Sequence, residues 1–148
     1  MSEFATVTPD IDVDYVVWME RQIDLIRERQ FSLLDVENLV GELRYIVSKE
    51  RRAPKSRLIV LIAHLLKCQF QPMLKTRSWR RTLFMQRSKI EDILENSPSM
   101  AREVMSHARS EYGKALRLAR YETNLDVSTF PPDLPYTEAQ LLDFDFVP

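Results

Sequence analysis

The sequence predicts an all-α protein, a compact antiparallel bundle of about five helices with an irregular C-terminal tail packed on it. Three observations predict that class. Glycine is nearly absent, with only Gly41 and Gly113 in 148 residues, so the tight turns that hairpins need have little support. Apolar residues recur three and four apart over long stretches, whereas β-branched residues nowhere alternate with polar ones for long. A chain of this length can also bury a core without metal or disulfide staples. Residues 1–148 therefore read as a single helical domain, with residues 1–10 a flexible N-terminus and residues 125–148 a tail.

The first helix is expected from about Asp12 to Arg29. Tyr15, Trp18, Met19, Gln22, Leu25 and Ile26 keep helical spacing, and Asp10, Asp12 and Asp14 stand near the positive N-terminal end. A short link around Phe31 leads to the clearest stripe in the chain, Val36, Leu39, Val40, Leu43, Ile46 and Val47. Pro54 fits the first turn of a new helix and would kink a continuing one, so a new or bent helix is expected from about Pro54 to Phe70. Pro72 blocks continuation, and Thr76 or Ser78 can cap a helix carrying Trp79, Leu83, Ile90, Ile93 and Leu94 as far as Asn96. Ser97 followed by Pro98 starts the next helix, to about Asn124, with Ala101, Val104, Ala108, Tyr112, Ala115 and Ala119 on its buried side. The stretch VSTFPPDLPY cannot be regular helix. Thr137 and Gln140 form a capping-box pattern for a short helix near residues 138–142. Phe130, Leu134, Tyr136, Leu142, Phe144 and Phe146 are too apolar for a purely disordered segment, so the tail should pack across the bundle.

Composition narrows the setting. The lone Cys68 excludes an internal disulfide, and the opening MSEFATVTPD has neither the basic start nor the apolar stretch of a secretory signal, which points to the cytoplasm. The longest apolar run, LIVLIAHLL, is far shorter than the roughly 20 residues of a membrane span, so no membrane partner is expected. Charge is near balance overall but uneven. Eleven basic residues and no acidic one lie between Arg51 and Ile90.

Several stretches carry a family likeness: LDVENLVGEL (34–43), SRLIVLIAHLLKCQFQP (56–72), RSWRR (77–81), NSPS (96–99) and TFPPDLPYTEAQLLDFDFVP (129–148). Together they resemble the bacterial family called domain of unknown function 29, over nearly the whole chain from Tyr15 to Pro148. The resemblance implies an almost entirely helical fold and no established activity. Cys68 stands where members generally have tryptophan, so it implies no cysteine chemistry either.

Four readings compete for the chemistry-bearing residues. His64 and Cys68 are four apart and share a helix face, as two metal ligands can. A zinc site needs a third and usually a fourth ligand, and only His107 or a carboxylate such as Glu37 or Glu42 is on offer. The competing expectation is that His64 bonds a polar group on a neighbouring helix while Cys68 packs as a small hydrophobe. A hydrolytic site at His64 lacks an oxyanion turn and an orienting third group. His107, at helical spacing from Glu103 and Glu111, reads as a surface histidine. Lys75, Arg77, Arg80, Arg81, Arg87 and Lys89, with Trp79 among them, have the phosphate-neutralising and stacking chemistry used on single-stranded nucleic acid. The favoured expectation is that the acidic helices and tail neutralise this basic run within the molecule, through Glu37, Glu42, Glu91, Asp92, Glu95, Asp133, Glu138, Asp143 and Asp145. No cofactor is implied. The expected function is a non-catalytic protein-interaction module whose exposed face, near the aromatic tail, binds another protein or itself. Nucleic-acid binding through residues 75–89 is the alternative, and a metal-dependent or hydrolytic enzyme at His64 the third.

Overall fold

The structure, a computed structural model, describes residues 9–148; the flexible start expected over residues 1–10 falls, as far as Thr8, outside the described residues. Five α-helices carry the fold: α1 (Tyr15–Arg27), α2 (Val36–Phe70), α3 (Arg77–Asn96), α4 (Val104–Thr123) and α5 (Glu138–Leu142), with short 3-10 segments between them and no strand among the described residues. Within the single domain expected over residues 1–148 the chain forms two compact units, one ending at Ser48 and one running from Lys49 to Pro148.

In the N-terminal unit, Asp14 caps α1 by accepting from the Val17 N–H at 3.0 Å. The helix ends two residues before Arg29. Arg29 takes the left-handed conformation (φ 58°), its N–H donates to the Ile26 carbonyl, and the Gln30 N–H donates to the Leu25 carbonyl, a Schellman closure without the usual glycine. Asp35 then ties α1 to the start of α2. Its carboxylate accepts from Trp18 Nε1 at 3.1 Å, and its N–H donates to Gln22 Oε1 at 2.9 Å. Farther along, the Tyr15 hydroxyl donates to Glu42 at 2.7 Å. Trp18, Gln22 and Leu25 are buried by this arrangement.

Pro54 starts no new helix: α2 runs unbroken from Val36 to Phe70 with Pro54 buried inside it. Proline removes one i to i−4 bond and costs about 3 kcal/mol in a helix interior. Leu58, Leu61, Ile62, Leu65 and Leu66, all fully buried just beyond it, each contribute roughly 1.5–3 kcal/mol, so the continuous helix wins. The total of five is reached with a different membership, because two expected helices fuse and α5 joins the count.

The core of the second unit is built around α2, whose residues from Leu61 to Cys68 are buried without a gap. Leu83 and Ile90 of α3 and Val104, Ala108, Tyr112, Ala115 and Ala119 of α4 pack with it. Thr76 caps α3 through the Trp79 N–H. The segment Pro98–Glu103, expected as the first turns of α4, is 3-10 helix. Its three-residue repeat shifts the phase of the stripe, burying Met100 and leaving Ala101 exposed. Asn124 closes α4 in the left-handed conformation (φ 57°).

The tail packs as expected. Phe130, Tyr136 and Leu141 are buried, Phe70 meets Phe130 and Tyr136 meets Phe146 edge to face, and the Thr137–Gln140 capping box forms. The Tyr112 hydroxyl donates to the Pro131 carbonyl at 2.6 Å and the Tyr136 hydroxyl to Gln69 at 2.8 Å. The central fastening is Arg87, only 2% exposed. Its Nε donates to the Leu141 carbonyl at 2.9 Å, one terminal nitrogen to Phe146 at 2.9 Å, and the other to Gln140 at 3.0 Å.

Arg87→Met should therefore lower unfolding stability by about 3 kcal/mol or more, because several tail carbonyls lose their only donor, and should expose the tail to limited proteolysis. Arg87→Lys recovers only part of the loss, since an ammonium cannot form the planar fork. Denaturant unfolding of the three proteins checks both; equal midpoints would show that the fork does not hold the tail.

Candidate functional site

The residues singled out in the sequence separate into three environments. His64 sits in the buried run of α2, and its Nδ1–H donates to the Val60 carbonyl of its own helix at 2.9 Å, not to a neighbouring helix as expected. The preceding turn supplies the acceptor because a histidine on a crowded helix face can fold back on the i−4 carbonyl. Burial pushes the imidazole pKa down, the Val60 bond pulls it up, and nearby Lys67 and Glu122 act in opposite senses. Cys68 is a free, fully buried thiol whose pKa burial raises, so it is held as a protonated, small apolar side chain. Among the described residues no group of three or more His, Cys, Asp or Glu side chains is placed to hold a metal ion.

Sequence reasoning missed the polar cluster next to this pair. Lys67 is buried; its ammonium pairs with Glu122 and lies 4.5 Å from the centroid of the Trp79 ring. Trp79, half-buried, packs against the core. The i+3 spacing of His64 and Lys67 was visible, but Glu122 lies 55 residues farther on and no local pattern links them. His107 is more enclosed than the surface position expected, its side chain 15% exposed; its Nε2 lies 3.1 Å from Glu103, which also takes Arg51 at 2.6 Å, while Glu111 pairs with Lys55 and Lys114.

The basic run is divided. Arg87 is not on the surface; the tail backbone consumes its guanidinium. Lys75 is half-buried and donates to the Pro148 carbonyl oxygen at 2.7 Å. Lys89 is half-buried, and Arg77, Arg80 and Arg81 are exposed. The expected neutralisation by carboxylates takes another form. Among the described residues the ion pairs are Arg51–Glu103, Lys55–Glu111, Lys67–Glu122, His107–Glu103 and Lys114–Glu111, and none uses Arg77, Arg80, Arg81 or Lys89. Carbonyls dock the tail because an irregular segment brings unpaired acceptors that only a donor can satisfy.

The third environment is apolar and exposed. The stripe Val36, Val40, Leu43 and Val47, the strongest helix signal in the sequence, points to solvent. α1 packs on a different flank of α2, the one carrying Asp35, Leu39 and Glu42. Tyr15, Val16, Ile23 and Ile26 on the outer arc of α1 are also open. The tail, where an exposed aromatic face was expected, instead turns Phe130 and Tyr136 inward and leaves Phe144 open beside Phe84.

The His64 environment gives a pH test. A histidine whose folded-state pKa lies below its unfolded value contributes stability that is complete above the unfolded pKa, about 6.5, and lost as pH falls toward the folded one. The melting temperature of the wild type should drop between about pH 7 and pH 5, and His64→Gln should flatten that slope; parallel slopes would remove His64 as its source.

No helix among the described residues is long and apolar enough to cross a membrane. No curated protein and no solved structure matches the chain. The family model described as "Domain of unknown function DUF29" matches residues 12–147, nearly the full length over which the helices and the clasped tail have been traced, and the chain belongs to that family.

Proposed function

We propose that this chain is a non-catalytic helical protein-interaction module, working in the bacterial cytoplasm, whose contact surface is the uncovered apolar side of the N-terminal unit. The observation that carries this reading is the exposure of Val36, Leu43 and Val47, each more than half open on one face of α2. Isolated exposed apolar residues are ordinary, but a contiguous stripe of them marks a contact surface. The polar cluster at Lys67 supports the same reading. Its charges are spent on one another and on the Trp79 face, an arrangement that fixes packing.

A second reading rests on Arg77, Arg80 and Arg81, exposed without a carboxylate within ion-pair reach among the described residues. These three can bind the phosphates of a single strand, with Phe84, also exposed, available for stacking. Arg87 contributes nothing to such a face.

One pair of measurements separates the readings. In affinity capture with the full chain as bait, the module reading expects a partner retained by the wild type and by the Arg77, Arg80 and Arg81 alanine variant, and lost by Leu43→Glu. In anisotropy titrations with labelled single-stranded RNA, it expects no micromolar binding at physiological salt. Salt-sensitive RNA binding lost in the triple variant would transfer the function to α3, and capture indifferent to Leu43→Glu would overturn the proposed surface.

A further inference from the structure

The exposed stripe on α2 has a finer order than a contact surface requires. On α2, Val36, Val40, Leu43 and Val47 follow one another at spacings of four, three and four. This is the alternation of a coiled-coil seam, with Val40 and Val47 at one core position and Val36 and Leu43 at the other. All four residues are 38–61% exposed, and all four lie in the N-terminal unit. The seam is formed over these three turns of α2 and uncovered; Leu33 stands apart from it, in the 3-10 turn before the extended Leu34.

We propose that a second copy of this chain occupies the seam, the two α2 segments running antiparallel about a two-fold axis between Val40 and Leu43. This deepens the interaction-module reading and rests on it. The flanking positions select the occupant and its direction. Glu37 and Arg44 flank one side of the seam, and Leu39 and Ile46 flank the other. In an antiparallel pair like flanks face each other, so Glu37 of each copy meets Arg44 of the other, giving two opposite-charge contacts from one sequence. Across the other edge the exposed Ile46 of each copy approaches the half-buried Leu39 of the other. A parallel pair sets the charged flank against the apolar one and satisfies neither. Neither Glu37 nor Arg44 has an ion-pair partner within the chain among the described residues. The two-fold makes the interface isologous and closed, so it yields a dimer and no filament.

Size sets the strength. The four exposed side chains and Ile46, also open, amount to on the order of 400 Å² per copy, so the pair stays below the roughly 1,000 Å² at which a standard specific interface begins. The dimer is therefore weak, with a micromolar-range dissociation constant.

Sedimentation analysis of the full chain, from micromolar to sub-millimolar concentration, tests this directly. The wild type should rise from the 17.5 kDa monomer toward twice that mass, and Leu43→Glu should remain monomeric with unchanged helical circular dichroism. Glu37→Arg and Arg44→Glu should each weaken dimerisation roughly tenfold, because each replaces two attractive contacts with two repulsive ones, while the double exchange in one chain restores it. A wild type that stays monomeric throughout overturns the second copy as occupant; if that monomer still loses a captured partner on Leu43→Glu, the module reading survives with a different occupant. A dimer indifferent to Leu43→Glu, or to both single charge reversals, overturns the proposed seam.

Discussion

The constraint on which the second unit depends is the unbroken burial of α2 from Leu61 to Cys68. A helix apolar on all sides must be walled on all sides. Two helices cannot close such a wall alone. α3 and α4 supply Leu83, Ile90 and the alanine-rich face at Ala108, Ala115 and Ala119, and the tail adds Phe130, Tyr136 and Leu141. A wall made from irregular chain brings carbonyls that no ladder satisfies, and a buried carbonyl without a donor costs free energy comparable to a lost hydrogen bond. Arg87 resolves this with three donors in one plane, a geometry that lysine lacks. Burial lowers its pKa against the opposing pull of Asp143, and a guanidinium stays charged regardless.

The same logic places the other buried charge. Lys67 cannot enter the core uncompensated, because an ammonium without partners loses its hydration outright. Glu122 provides the counter-charge and Trp79 a ring face. A buried pair of this kind adds little net stability against an apolar replacement. Its consequence is geometric: it sets α4 against α2 at one end of the core, while the Lys55 and Arg51 contacts to Glu111 and Glu103 set them nearer the other.

How much of this was legible follows from the range of each interaction. Local signals read true: the Thr76 cap, the Thr137–Gln140 box, and the stops near Asn96 and Asn124 each depend on residues within a few positions. Pro54 left a new helix and a continuing, bent one both open, because its cost is local, about 3 kcal/mol, while the burial that outweighs it is tertiary. Met100 and Ala101 exchanged places because a 3-10 turn cannot be distinguished from α-helix by a proline and a cap. Arg87 was unreadable as a core residue, since its acceptors are backbone carbonyls 53 to 59 positions away and carbonyls leave no trace in a sequence. The stripe at Val36 to Val47 was read correctly as helix, and the structure leaves it uncovered. Periodicity reports that a face is apolar and says nothing about what covers it.

That last distinction divides α2 itself. Beyond Pro54 the helix is apolar all round, and its own chain buries it. Before Pro54 it is apolar along one narrow seam, and α1 covers a different flank through Asp35 and Glu42. α1 and the first turns of α2, which bury little more than Trp18, Gln22 and Leu25 between them, fall well short of the core that small domains need to be stable alone. Whatever binds the seam therefore does more than occupy a surface. By mass action a ligand of the folded state stabilises that state in proportion to the logarithm of its concentration, so in this unit recognition and folding draw on the same apolar area and cannot be tuned separately.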